Sequence, residues 1–265
     1  MPACATTSGG SPIVSLAFWL DLRGYGGMLN KAGFDPTCPE AKAALDRLYE
    51  FQAIVAAHSR TTFPTLVIND GAVAYRDIGL LRKDRAWLFI ERCWNLYQET
   101  SAADRKLKGD GLRGVLAVGM RAKGSNRGIV RQNEEIAAII DDLAADKITA
   151  TEAKTAAWRV RRVNDIVPQL QANFAFSRAY TAEQSAIDDA RKLIESRFYL
   201  DTRVFKDGIP DWMTVGQPIH WMPKPHWLSS LATTFVEVQG IEVSAAGREQ
   251  AIGTGREMLV SMRKV

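Results

Sequence analysis

Between Ile13 and Met120 the chain alternates short apolar runs with helical stripes in one order, β, α, ββ, α, β, which sharply narrows its possible folds. Ile13 to Leu20 is an apolar run that stops at glycines, the pattern of a buried strand. From Pro39 to Ala57, Leu45, Leu48, Phe51, Ile54 and Val55 recur at spacings of three and four, with Pro39 and Glu40 suited to a first turn. This predicts a helix. Thr65 to Ile68 and Ala72 to Tyr75 are β-rich runs joined at Asn69-Asp70-Gly71, and Asp-Gly between apolar runs is a strong hairpin signal. Arg85 to Leu107 carries Trp87, Ile90, Trp94 and Tyr97 on one helical stripe, and Gly111 to Met120 reads as a further strand. Such an order is the split βαβ pattern of a ferredoxin-like sheet, which places the chain in the α+β class.

The rest of the chain reads as additions to that core. Residues 127–162 are charged and helical, broken near Lys147-Ile148-Thr149, where Thr149 and Glu152 have capping-box spacing; they predict an inserted helical hairpin. A long helix is expected from about Asn173, a strand over Phe235–Val238 and a last helix from about Ala245. The domains expected are a loose leader over 1–12, a principal domain over 13–205 containing the insertion, and a C-terminal extension over 206–265 packing on the core.

Composition removes several classes. At 265 residues and 46% hydrophobic the chain is able to bury a full core. Its three cysteines have no metal spacing and their odd number gives no disulfide framework, so a cytoplasmic location is expected. The start lacks the basic and apolar regions of a signal peptide, and Ile13–Leu20 is too short to span a bilayer. Neither a membrane nor a nucleic-acid partner is expected, the latter because the strands show no RNP-type aromatic pattern. The three histidines share no ligand spacing, and no Walker lysine motif or Gly-x-Ser-x-Gly is present. A net charge of +4 is compatible with an anionic ligand.

Two acids stand where this sheet would bring them together. Asp21 closes the first apolar run, and Asp70 sits in the tight turn of the hairpin expected beside it. Paired carboxylate oxygens suit Mg²⁺ or Mn²⁺, and Gly24, Gly26 and Gly27 would let backbone N–H groups approach phosphate oxygens. Asp-Gly hairpins are common and an Asp after an apolar run is more often an N-cap or turn former, so the spacing alone leaves the metal role open.

Three quoted stretches carry a resemblance. "FWLDLRGYGGML" resembles the strand, metal-binding Asp and glycine-aromatic turn with which class III nucleotidyl cyclases open; "TLVINDGAVAY" is similar to their hairpin and "GLRGVLAVGM" to their next strand. "VPQLQANFAFSRAYTAEQ", after an inserted helical region, resembles the bacterial pyrimidine cyclases of Pycsar antiphage defence. Where purine cyclases place a Lys or Glu that reads the base, this chain has Leu66, an apolar residue unable to donate or accept.

The resemblance implies a cyclase fold in which Asp21, Asp70 and the carbonyl of Leu22 hold two Mn²⁺ or Mg²⁺ ions. Gly24, Tyr25 and Gly26 would hold triphosphate oxygens, and Asn173 the ribose. Arg178 would stabilise the transition state from the partner subunit of a homodimer with shared sites, although four residues separate Asn173 and Arg178 where the family has three. Tyr49 and Leu66 would border the base. The implied reaction converts a nucleoside triphosphate, UTP first and CTP second, to a 3′,5′-cyclic nucleotide that activates a separate effector. A purine cyclase and a catalytically dead nucleotide-binding module are the alternatives.

Overall fold

In a computed structural model of the chain, residues 13–122, 127–160, 170, 172–185, 196–224 and 226–263 are described. The leader assigned to 1–12 and the segment 161–169 lie outside them. The chain forms two units, one comprising Pro12–Arg121 with Asn173–Val265, the other including Ala122–Ala172.

The larger unit is built on β1 (Ile13–Leu22), β2 (Thr65–Ile68), β3 (Gly71–Ile78) and β4 (Leu112–Arg121). They stand in the order β2-β3-β1-β4, each pair antiparallel, which is the ferredoxin-like arrangement expected from the order of patterned segments. Alternation along β1 explains its two faces. Val14, Leu16, Phe18, Leu20 and Leu22 enter the main core, whereas Ser15, Ala17, Trp19 and Asp21 point to the opposite side. Two long helices cover the core side: α2 (Pro39–His58) and α3 (Ala86–Lys106) pack on each other and bury Phe51, Ile54 and Val55 with Phe89, Ile90 and Trp94. Burying each such side chain stabilises the fold by roughly 1.5–3 kcal/mol.

The opposite face is covered by α6 (Phe174–Gln184), and small residues set how closely it lies. Ala175, Ala179 and Ala182 of the helix are fully buried, and Ala17 and Ala117 of the sheet are likewise. Gly119 of β4 has no room for a side chain, since a Cβ there would overlap the backbone of Phe174 and Ala175. Asn173 caps the helix, its Oδ1 accepting from the amides of Ala175 and Phe176 at 3.0 Å each, while its Nδ2 donates to Ser15 Oγ at 3.1 Å.

Beyond β4 the sheet continues. β5 (Phe198–Asp201) joins β4 in parallel, and β8 (Thr233–Ile241) pairs with β5 and also with β6 (Met213–Val215) and β7 (Ile219–Trp221). The strand expected over Phe235–Val238 is therefore longer, because three neighbouring strands satisfy its backbone. Two further differences have local causes. The glycine turn after Asp21 winds into the short helix α1 (Tyr25–Lys31), entered through left-handed Gly24 at φ 74°. The last helix is two pieces, α7 (Arg248–Ala251) and α8 (Gly255–Met262), because Ile252 leaves the helical region and Thr254 restarts it with a capping box on Glu257. α8 docks where β3 ends, the amides of Gly255 and Arg256 donating to the carbonyls of Gly79 and Leu80 at 3.2 and 2.9 Å.

The smaller unit holds α4 (Arg127–Ala144) and α5 (Ala150–Arg159), which pack on one another; α5 starts with the capping box between Thr149 and Glu152. Among the described residues no helix is long and apolar enough to cross a membrane.

Candidate active site

The pairing of β1 with β3 brings the two acids to one end of the sheet. Asp21 lies opposite Gly71, and the amide of Leu22 donates to the carbonyl of Asp70 at 3.1 Å. Asn69, left-handed at φ 54°, turns the hairpin and donates from Nδ2 to Asp70 Oδ1 at 2.9 Å. Gly71 is required here: a Cβ at this position would overlap the Trp19 ring and come within 3.2 Å of Asp21 Oδ1.

On the other flank of β1, Asp21 lies opposite Arg113 of β4. Arg113 is buried and ion-paired at 2.7 Å with Glu183 at the end of α6, donating also to the Glu183 carbonyl at 3.0 Å. Asp21 thus stands between Asp70 on one flank and the Arg113–Glu183 pair on the other. Burial, and then the charges of Glu183 and Asp70, push the Asp21 carboxyl up to about 8, with Arg113 offsetting part of the effect. Asp70 and Glu183 are also raised, in both cases first by burial.

This electrostatic state fits a cation. An acid held protonated by burial beside like charges becomes a ligand once a divalent ion supplies the missing positive charge. Among the described residues no group of three or more His, Cys, Asp and Glu is placed to hold a metal by side chains alone. Two carboxylates completed by a backbone carbonyl and substrate oxygens is the donor set that Mg²⁺ or Mn²⁺ takes beside phosphates. Leu22 would offer only its carbonyl, since its side chain is in the core.

The β1–α1 turn adjoins the acids. Met28 N closes the first helical bond on Gly24 O at 3.0 Å, so the amides of Tyr25, Gly26 and Gly27 precede the helix's own ladder. Gly26 and Gly27 are exposed with open space around them. Tyr25 is buried, and its hydroxyl is raised by burial and by the neighbouring Asp70 and Tyr49. Tyr49, on α2, is exposed and stands beside this group. Leu66 of edge strand β2 lies in the row Leu66, Val73, Trp19, Val115, next to the row Ile68, Gly71, Asp21, Arg113 on the same face.

Asn173 and Arg178 are not brought to the acids of their own chain. Asn173 uses its amide as the cap of α6 and on Ser15. Arg178 is buried, and its guanidinium donates to the carbonyls of Val118, Leu231 (2.7 Å) and Ser230 (3.3 Å). Desolvation lowers its pKa to about 10. To act in a partner's site Arg178 would have to give up these bonds.

Arg113 and Glu183 are site residues that motif reading missed. One signal was available: Arg113 interrupts an otherwise apolar strand on the same alternation as Val115 and Ala117, and a buried Arg needs an acidic partner. Nothing in sequence pointed to Glu183, whose partner is 70 residues away.

No protein-family model matches the chain, and no curated protein does. Among solved structures it is similar to the guanylyl cyclase Cya2, at 13% identity over 90% of this chain and 98% of that one, with a TM-score of 0.46. It is also similar to the adenylyl cyclase CyaB from P. aeruginosa, at 10% identity over 89% of this chain and 98% of that one, with a TM-score of 0.48.

Proposed function

We propose that the chain is a nucleotide cyclase acting on a pyrimidine triphosphate, UTP before CTP. The observation that carries this reading is the meeting of Asp21 and Asp70, from two separate motifs, at the sheet end beside the glycine turn. Leu66 supports a pyrimidine over a purine, since it puts an apolar side chain at the position where purine cyclases place a Lys or Glu.

In this reading Asp21, Asp70 and the Leu22 carbonyl hold two Mn²⁺ or Mg²⁺ ions. Such ions make a hydroxyl more acidic and neutralise a leaving pyrophosphate. The amides of Tyr25 and Gly26, next to Gly24, receive triphosphate oxygens, and Arg113 adds a fixed positive charge beside Asp21. The ribose 3′-oxygen attacks the α-phosphorus, its proton passes to solvent, the bond to the β-phosphate oxygen breaks and pyrophosphate leaves. Tyr49 and Leu66 border the base. Within their own chain Asn173 and Arg178 fix α6, which covers Trp19 and brings Glu183 to Arg113; the ribose and transition-state roles belong to a homodimer with shared sites, in which Asn173 leaves the α6 cap and Arg178 leaves its three carbonyls to reach the partner's acids. The cyclic product is a second messenger for a separate effector in antiphage defence.

Incubation with Mn²⁺ and each of the four ribonucleoside triphosphates, with products identified by mass spectrometry, tests this. Cyclic UMP as the main product is expected from the native chain, and an Asp70→Asn chain should lose about 100-fold or more of it. Cyclic AMP or GMP as the main product would overturn the pyrimidine assignment. No cyclic product from any triphosphate would overturn the enzyme.

A further inference from the structure

Behind the β1–α1 turn lies a second pair of buried charges that the reaction itself does not use. Arg47 of α2 and Asp104 of α3 are 3% and 4% exposed and meet in a two-pronged contact, Nε to Oδ1 at 2.7 Å and a terminal nitrogen to Oδ2 at 3.1 Å. The same terminal nitrogen donates to the carbonyl of Arg23 at 3.0 Å, and the other one reaches Met28 Sδ in α1 at 3.1 Å. Asp104 Oδ2 also accepts from the amide of Gly111 at 2.8 Å, and the carbonyl of Gly111 accepts from the amide of Arg23 at 3.0 Å. The bonds close a ring, Arg47 to Asp104 to Gly111 to Arg23 and back to Arg47, that holds both polar backbone groups of Arg23.

Two glycines are built to this ring. A Cβ at Gly109 would fall on the Asp104 carboxylate and within 2.5 Å of Arg47 Nε, and Gly111 is left-handed at φ 87°. Residue 110 then presses on the turn, for a Cβ at Gly24 would overlap the Asp110 carboxylate.

We propose that Arg47 and Asp104 are positioning residues which set the Arg23–Gly24 turn, and with it the Gly24–Gly26 amides, for a nucleoside triphosphate; this rests on the cyclase reading above. A buried ion pair is a poor stabiliser, since apolar residues of like volume in its place are often neutral or better. Its place directly behind the turn indicates what it does. The guanidinium is needed for its fork, which binds a carboxylate and a carbonyl in fixed directions at once; an ammonium offers no such plane.

The experiment compares the native chain with Arg47→Met/Asp104→Leu, which removes both charges together, and with Arg47→Lys, which keeps Asp104 neutralised. Three readouts are taken: melting temperature, exchange of the turn's hydrogen-bonded amides, Arg23 on Gly111 O and Met28 on Gly24 O, and steady-state kinetics with Mn²⁺ and the preferred triphosphate. Both variants are expected to stay folded, to exchange the turn amides about 10-fold faster, and to raise KM about 10-fold with kcat within about 2-fold, as lost uniform binding of phosphate does. Native exchange and native KM in the double variant would overturn the proposal, as would full rescue by Arg47→Lys. If the double variant does not fold, Arg47→Lys decides by the same readouts. A native chain that cyclises no triphosphate sinks the cyclase reading separately; turn amides that then exchange at the native rate in the variants overturn the clamp too.

Discussion

At the scale of single residues, Asp21 sets the character of the site. Its carboxyl is raised from 3.8 to about 8, so ionising it in the folded chain is opposed, and that opposition grows as pH rises from 3.8 towards 8. Without a divalent ion, an Asp21→Asn chain should melt above the native chain at pH 8, with the gap narrowing towards pH 4 in calorimetry. The same substitution should cost about 100-fold or more in turnover of the proposed cyclase reaction. Cys93 makes an independent residue-scale prediction. It is fully buried on α3 and burial pushes its thiol well above 9.0, whereas Cys38 at the start of α2 is partly exposed. A thiol reagent should label Cys38 in the native protein and reach Cys93 only on unfolding, as peptide mass spectrometry would report.

At the scale of elements, α6 is the piece on which the site depends. It carries Glu183 to Arg113 and lies on Ser15, Ala17 and Gly119 through alanines. Gly119→Val should push the helix off β4 and cost roughly 1–3 kcal/mol in denaturant melts. Arg178→Met should also loosen it, since three carbonyls would lose their donor. If both variants keep native stability and native exchange over α6, the helix is held by something else.

At the scale of the whole molecule, the homodimer with shared sites that we propose predicts a particle of about twice 29.3 kDa in sedimentation. Mixing Asp70→Asn with Arg178→Lys should restore part of the activity that each lacks, because one site of a mixed dimer then draws both acids from the Arg178→Lys chain and Arg178 from the Asp70→Asn chain. A monomeric mass, or no restoration, would count against shared sites.

Sequence by itself determined the core. Period-two and helical spacings over Ile13–Met120 prescribe the ferredoxin-like order, because each pattern has one face to bury, and the Asp-Gly hairpin fixes the turn in which Asp70 sits. The short strands β6 and β7 were not legible, since three residues carry no period and their pairing with β8 is long-range. The same holds for the partners of the site. Arg113 with Glu183 and Arg47 with Asp104 are 70 and 57 residues apart, and no local spacing encodes such pairs. Only the tertiary structure decided that Arg178 turns inward, because the carbonyls it meets belong to β4 and to the stretch before β8, which converge on α6 only after the sheet has closed. Chain-local chemistry names the acids; packing decides which charges stand beside them.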